Sequence, residues 1–201
     1  MRTRTTVWGG VLAAGLLWAG AAMAMPTGEA LVNSCAACHG THGDSAGPAM
    51  PTIAGLSRGY IIKSMKEYRS GARAGTVMGR IARGYNDQEI AAMATYLSKL
   101  PFPAHAQPYD PVKAAMGEKL HARFCAKCHG AHGRSRIDDA GVLAGQWGTY
   151  LHFAMDDIAD EVRPMPRKMR VFFEHIYANH GEAAINDLVA YYNSQAKAGK
   201  K

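Results

Sequence analysis

Four cysteines stand in this sequence as two identical pairs, Cys35/Cys38 and Cys125/Cys128, each followed directly by a histidine, His39 or His129. Cys-x-x-Cys-His is the spacing at which a c-type haem is attached. On a helical turn, residues three and four apart share a face. The two thiols could therefore form thioethers with the haem vinyl groups while the imidazole binds iron from the same side. Attachment consumes the thiols, so no disulfide is expected. Two other chemistries use the same residue types. A redox dithiol of the thioredoxin kind needs strands around it, and no period-2 alternation is long enough to give one. A zinc site could take two cysteines and two histidines, but it would not need the same pentapeptide twice in matching helical units.

The group opposite the histidine decides what such an iron does. An open position permits ligand binding or peroxide chemistry, whereas methionine favours electron transfer and a raised potential. In the first copy Met78 stands between the middle and closing helices and is the expected ligand. In the second copy Met169 and Met165 both fall near the matching position. Ile81 follows Met78 by three residues and Phe172 follows Met169 by three, whereas Lys168 follows Met165, so Met169 is preferred and Met165 is the alternative. His175 or His180 is a rival ligand in the second copy; His42 and His132 lie too close to the attachment turn to cross to the far side. Met65, Met93 and Met155 fall on apolar helix faces and read as core.

These residues must be positioned by a repeated unit. At an offset of 90, Cys35–Gly43 falls on Cys125–Gly133, Ala54-Gly55 on Ala144-Gly145, Tyr60 on Tyr150 and Met65 on Met155. Near the end of each unit the offset becomes 95, aligning Ile90, Met93, Ala94 and Leu97 with Ile185, Leu188, Val189 and Tyr192. The second copy therefore carries about five extra residues between Met155 and Ile185. Ile61, Met65 and Tyr68 repeat at helical spacing, as do Leu151, Met155 and Ile158. Asn86 and Glu89 form a capping pattern before the closing helix of the first unit. The prolines of 100–111 break the chain between the units. The division expected is a leader over 1–24, a first domain over 25–103 and a second over 104–201. Helical domains of this size have marginal cores of their own, and a large apolar cofactor would complete them. Arg69 and Arg73 could pair with haem propionates or lie on a solvated face. Tyr60, Tyr150 and Trp147 read first as ordinary core, with packing on haem or across the boundary as the alternative. The tail at Lys197, Lys200 and Lys201 reads as frayed and solvated.

Arg2 and Arg4, the apolar run from Val7 to Ala22 and Ala22-Met23-Ala24 have the layout of a cleavable secretory signal. An uncleaved anchor is the rival, but the apolar run is short for a membrane span. Export to a periplasm follows, with no stable membrane insertion after cleavage. The formal charge of +7 falls to +5 when Arg2 and Arg4 leave with the leader. Haem propionates would reduce it further, so the basic balance is a poor argument for nucleic acid. At 48% hydrophobic residues, the chain is too apolar to be a disordered tail.

Several segments resemble a known group. Two Cys-x-x-Cys-His units in an exported chain are similar to the dihaem cytochrome c4 family, which is all-α, with tandem class I cytochrome c domains related by pseudo-twofold symmetry. Cys-Ala-Ala-Cys-His-Gly-Thr-His-Gly (35–43), Met-Gly-Arg-Ile-Ala-Arg-Gly-Tyr (78–85), Leu-Ala-Gly-Gln-Trp-x-x-Tyr-Leu (143–151) and Arg-Pro-Met-x-x-Lys-Met (163–169) look closer still to the cytochrome subunits of flavocytochrome c sulfide dehydrogenases. That resemblance implies two haem c groups held through Cys35, Cys38, Cys125 and Cys128. His39 and His129 would be the proximal ligands, with Met78 and one of Met165 or Met169 the distal ones. It also implies haems close to the domain boundary, an FAD-containing sulfide dehydrogenase subunit as electron donor, and a soluble c-type cytochrome or similar acceptor. No Gly-x-Gly-x-x-Gly follows a strand here, so FAD is expected only on the partner and the chain is not an enzyme on its own. A free cytochrome c4-type carrier to a terminal oxidase or reductase is the alternative. A haem enzyme is the third reading, and it would need one open or unusually ligated iron.

Overall fold

Helix starts in the N-terminal half are set by side-chain oxygens. Thr27 caps α1 (Gly28–Asn33) and Ser57 caps α3 (Arg58–Ser70). Asn86 caps α5 (Asp87–Lys99), where Glu89 reaches back to the Asn86 N–H to complete the capping box that the sequence predicts. Between them lie the single turn α2 (Ala36–His39) and the short α4 (Met78–Ala82). The computed structural model describes residues 25–196, and the leader and the lysine tail both lie outside them.

Residues 101–110 contain no helix, and Asp110 then caps α6 (Pro111–Leu120), with Pro111 in its first turn. A π-helical turn, His121–Cys125, leads into the second attachment segment and the turn α7 (Gly130–Gly133). The remaining helices are α8 (Gly148–Ala159) and α9 (Arg167–Ser194). Gly181, at φ 62°, breaks α9 into two helices laid end to end. It stands where offset 95 places Asn86, so a glycine break replaces the capping box. The extra residues of the second copy accordingly lengthen the helix ahead of that break. The described residues contain no strand, and no helix among them is long and apolar enough to cross a membrane.

In each half the first long-range helix crosses the closing one: α1 meets α5, and α6 meets the C-terminal part of α9. Both crossings are close enough to require glycine. A methyl group on Gly28 would overlap the Ala92 carbonyl, and one on Gly117 would overlap that of Asp187. The closing helices present the residues paired by offset 95. Ile90, Met93, Ala94 and Leu97 are buried in one core, and Ile185, Leu188, Val189 and Tyr192 in the other. Burying each large aliphatic side chain contributes about 1.5–3 kcal/mol, so these faces are a main source of each half's cohesion. Met93 is buried, while Met65 and Met155 pack half-buried against the two cores. One residue crosses over: Val142, from the C-terminal half, is buried in the core of the N-terminal half.

Candidate functional site

The two attachment segments are built alike. Cys35 caps α2, and the His39 N–H donates back to its carbonyl at 2.8 Å; the His129 N–H does the same to Cys125 at 2.9 Å. The backbone thus turns once between the first cysteine and the histidine, as the spacing requires. Cys35 and Cys125 are half-buried, whereas Cys38 and Cys128 are exposed, and all four thiols are free. Burial pushes the Cys35 thiol up and carries Cys125 to about 11, so both are protonated at neutral pH.

The histidines are fixed by one repeated device. His39 Nδ1 lies 2.8 Å from the Pro51 carbonyl oxygen, and His129 Nδ1 lies 3.1 Å from that of Gly141. A carbonyl only accepts, so Nδ1 must carry the proton. Burial lowers the pKa of both imidazoles, keeping the rings neutral with an unprotonated Nε2. A neutral imidazole oriented through Nδ1–H is the state a metal ligand needs.

Met78 is the first residue of α4 and is half-buried. Met169 is half-buried in the first turn of α9. Met165 precedes that helix and lines a cavity of about 220 Å³ with Ile158, Phe173 and Tyr177. The same part of α9 folds over the second attachment segment. Phe172 and His175 lie 6.4 Å and 5.3 Å, ring to ring, from Phe124, the residue before Cys125. His175 and His180 are both exposed.

The two arginines considered for propionates part company. Arg69 is tied to Asp87 and to the Tyr85 carbonyl. Arg73 is only 5% exposed, lies over the Tyr68 ring, and has a buried Nε with no partner. Arg163, which offset 90 pairs with Arg73, donates to the Tyr60 hydroxyl across the boundary at 3.0 Å. Arg73 donates to the Ser64 hydroxyl at 3.3 Å, and its charge acts on Tyr150, the counterpart of Tyr60. Burial pushes the Tyr150 hydroxyl up, but Arg163 and Arg73 outweigh it and bring it down to about 8. Neither guanidinium pairs with a carboxylate among the described residues. A buried and a half-buried cation without acids, the buried one with an orphaned donor, are suited to carboxylates from a cofactor. Together with the thiol pairs and neutral imidazoles, this donor set fits haem c.

Tyr60 and Tyr150 each pack against the core of their own half, as expected, and also bond across the boundary, where Trp147 lies as well. The Trp147 indole donates to the Ser45 carbonyl at 3.0 Å and stacks on His105 at 4.6 Å. Gln146, 2% exposed, clasps the Thr52 backbone: its Oε1 accepts from Thr52 N at 3.0 Å and its Nε2 donates to Thr52 O at 2.9 Å. Gln146 and Arg163 lie in segments that carry the family resemblance, but nothing in the sequence gives them a boundary role, and Thr52 and His105 fall in no motif at all. The correspondence of Arg73 and Arg163 was available from offset 90.

Residues 26–101 match the cytochrome c family model. The cytochrome subunit of sulfide dehydrogenase from Chlorobaculum tepidum is 45% identical over 73 residues, covering 36% of this chain and 66% of that protein. Cytochrome c4 from Pseudomonas aeruginosa is 30% identical over 145 residues, covering 68% of this chain and 71% of that protein. The crystal structure of reduced recombinant cytochrome c4 from Pseudomonas stutzeri superimposes with a TM-score of 0.72 at 23% identity, over 84% of this chain and 96% of that one. That likeness establishes the fold, an all-α arrangement of tandem class I cytochrome c-like domains.

Proposed function

This chain belongs to the family of dihaem class I cytochromes related to cytochrome c4, and on that footing we propose that it is the electron-transfer subunit of a sulfide-oxidising flavocytochrome. The observation that carries its electron-transfer part is the doubled histidine device: two neutral imidazoles, each anchored through Nδ1 to a carbonyl beside a pair of free thiols. Similarity to the Chlorobaculum sulfide dehydrogenase subunit supports the choice of electron donor, an FAD-containing flavoprotein subunit. A soluble c-type cytochrome or similar acceptor would receive the electrons.

Haem, when bound, supplies a one-electron iron couple. Cys35, Cys38, Cys125 and Cys128 would anchor the two groups covalently, and His39 and His129 would offer Nε2 to iron. Met78 and Met169 would be the distal ligands, with Met165 the alternative to Met169. Arg73 and Arg163 would neutralise propionates at the boundary, bringing both cofactor edges into one polar cluster. The domain division at 103/104, the cleavable leader over 1–24 and periplasmic residence belong to the same reading. A free cytochrome c4-type carrier is the second reading, favoured by the longer alignment to that protein.

Purification from the native periplasm separates the two. A stoichiometric flavoprotein companion, two haems per chain by pyridine haemochrome assay, and haem reduction on adding sulfide are expected. A free monomer that sulfide leaves oxidised, even with flavoprotein extract added, would overturn the first reading in favour of the second. A chain without covalent haem would overturn both.

A further inference from the structure

The two halves share one histidine–tyrosine pair and differ by another. His42 Nδ1 meets the Tyr96 hydroxyl at 2.7 Å, and its counterpart His132 meets Tyr191 at 2.9 Å. Only the second half has a further pair. His121, 4% exposed, meets the Tyr192 hydroxyl through Nδ1 at 3.1 Å, with the rings edge-on at 5.6 Å. Offsets 90 and 95 place Leu31 and Leu97 at these positions in the first half, where both pack in an aliphatic core. The exchange is local to one attachment site. Tyr192 is fully buried in the cluster against which Cys125 packs.

An attached Cys125 would be a thioether, a weak acceptor that no longer donates. The Tyr192 proton then goes to the neutral His121 Nδ1, and the oxygen lone pairs turn toward Cys125. The ferric state carries one more positive charge than the ferrous state. A buried oxygen dipole with its negative end inward stabilises that charge, which an aliphatic pair cannot do.

We propose that the His121–Tyr192 pair lowers the reduction potential of the haem at Cys125/Cys128 relative to a Leu31–Leu97 setting. This rests on the two-haem reading above.

The test uses the holoprotein, with haem content measured by pyridine haemochrome and each one-electron wave followed by spectroelectrochemical titration. Tyr192→Phe keeps the ring and removes only the hydroxyl. It is expected to raise one wave and leave the other in place, and His121→Leu with Tyr192→Leu to raise the same wave further. The reverse exchange, Leu31→His with Leu97→Tyr, is expected to lower the other wave. Should the double leucine variant not fold, Tyr192→Phe and the reverse exchange decide the matter. Folded variants with two haems whose waves stay still, or move in the opposite direction, would overturn the proposal alone. Wild-type protein with fewer than two haems would overturn the two-haem reading itself.

Discussion

Replacing Gln146 by leucine tests whether the boundary is held by a few buried hydrogen bonds. Gln146 supplies both partners of the Thr52 backbone, an acceptor at 3.0 Å and a donor at 2.9 Å, and Thr52 is 0% exposed. Leucine has similar bulk and leaves no room for a replacement water. Each buried group left unpaired costs about 1–3 kcal/mol, which gives about 2–6 kcal/mol for the Thr52 N–H and C=O together. The apolar side chain returns about 1 kcal/mol through burial. The expected net loss of about 1–5 kcal/mol is a large share of an ordinary domain's stability. Urea unfolding followed by far-UV circular dichroism and by Trp147 emission reads it, since Trp147 is the only tryptophan in residues 25–201. The Trp147 signal, rooted in the Ser45 bond and the His105 stack, is expected to change at lower urea than in wild type. Gln107→Leu, which removes less buried bonds to Gln146 and Gly148, is the milder control. An unfolding free energy within about 0.5 kcal/mol of wild type, the range of an ordinary surface substitution, would refute the reasoning.

Arg73→Leu removes a buried cation that would face a propionate, so the ferric state gains relative stability and the first haem's potential falls, as read by spectroelectrochemistry. Met78→Ala abolishes the methionine-to-iron charge-transfer band of one haem; of Met169→Ala and Met165→Ala, only the first abolishes that of the other, as read in the ferric absorption spectrum. Burial first, then His129 and His132, hold His121 at about 4 against an ordinary 6.5. The unfolded chain therefore takes up the proton first, and stability declines as pH falls from about 6.5 to about 4, then levels off. His121→Leu flattens that part of the curve in thermal melts at successive pH values.

Much of this arrangement is legible in the residues because it repeats. The attachment turns follow from three- and four-residue spacings, and the closing helices from apolar faces that survive a change of offset from 90 to 95. The capping box at Asn86 is a local device and is read locally. The boundary is different. Gln146 and Thr52 stand 94 residues apart, and nothing near either one in the sequence names its partner. Tyr60 and Tyr150 read as core because each does pack against the core of its own half, and an apolar pattern says nothing of the bonds they also make across the boundary. The glycine break at Gly181 is hidden because a lone glycine in a helical pattern can be tolerated without interrupting it.

Val142 has a consequence for the order in which the molecule is made. Its side chain completes the core of the half that precedes it, yet it is synthesised after the whole interdomain linker. The N-terminal half therefore leaves the ribosome with a gap in its interior, which only the following half can close. A fragment ending at the linker would keep the first attachment motif intact while lacking part of the wall around it. The two repeats are in this respect a single folding unit with unequal debts, and neither is a module to be cut out and used alone.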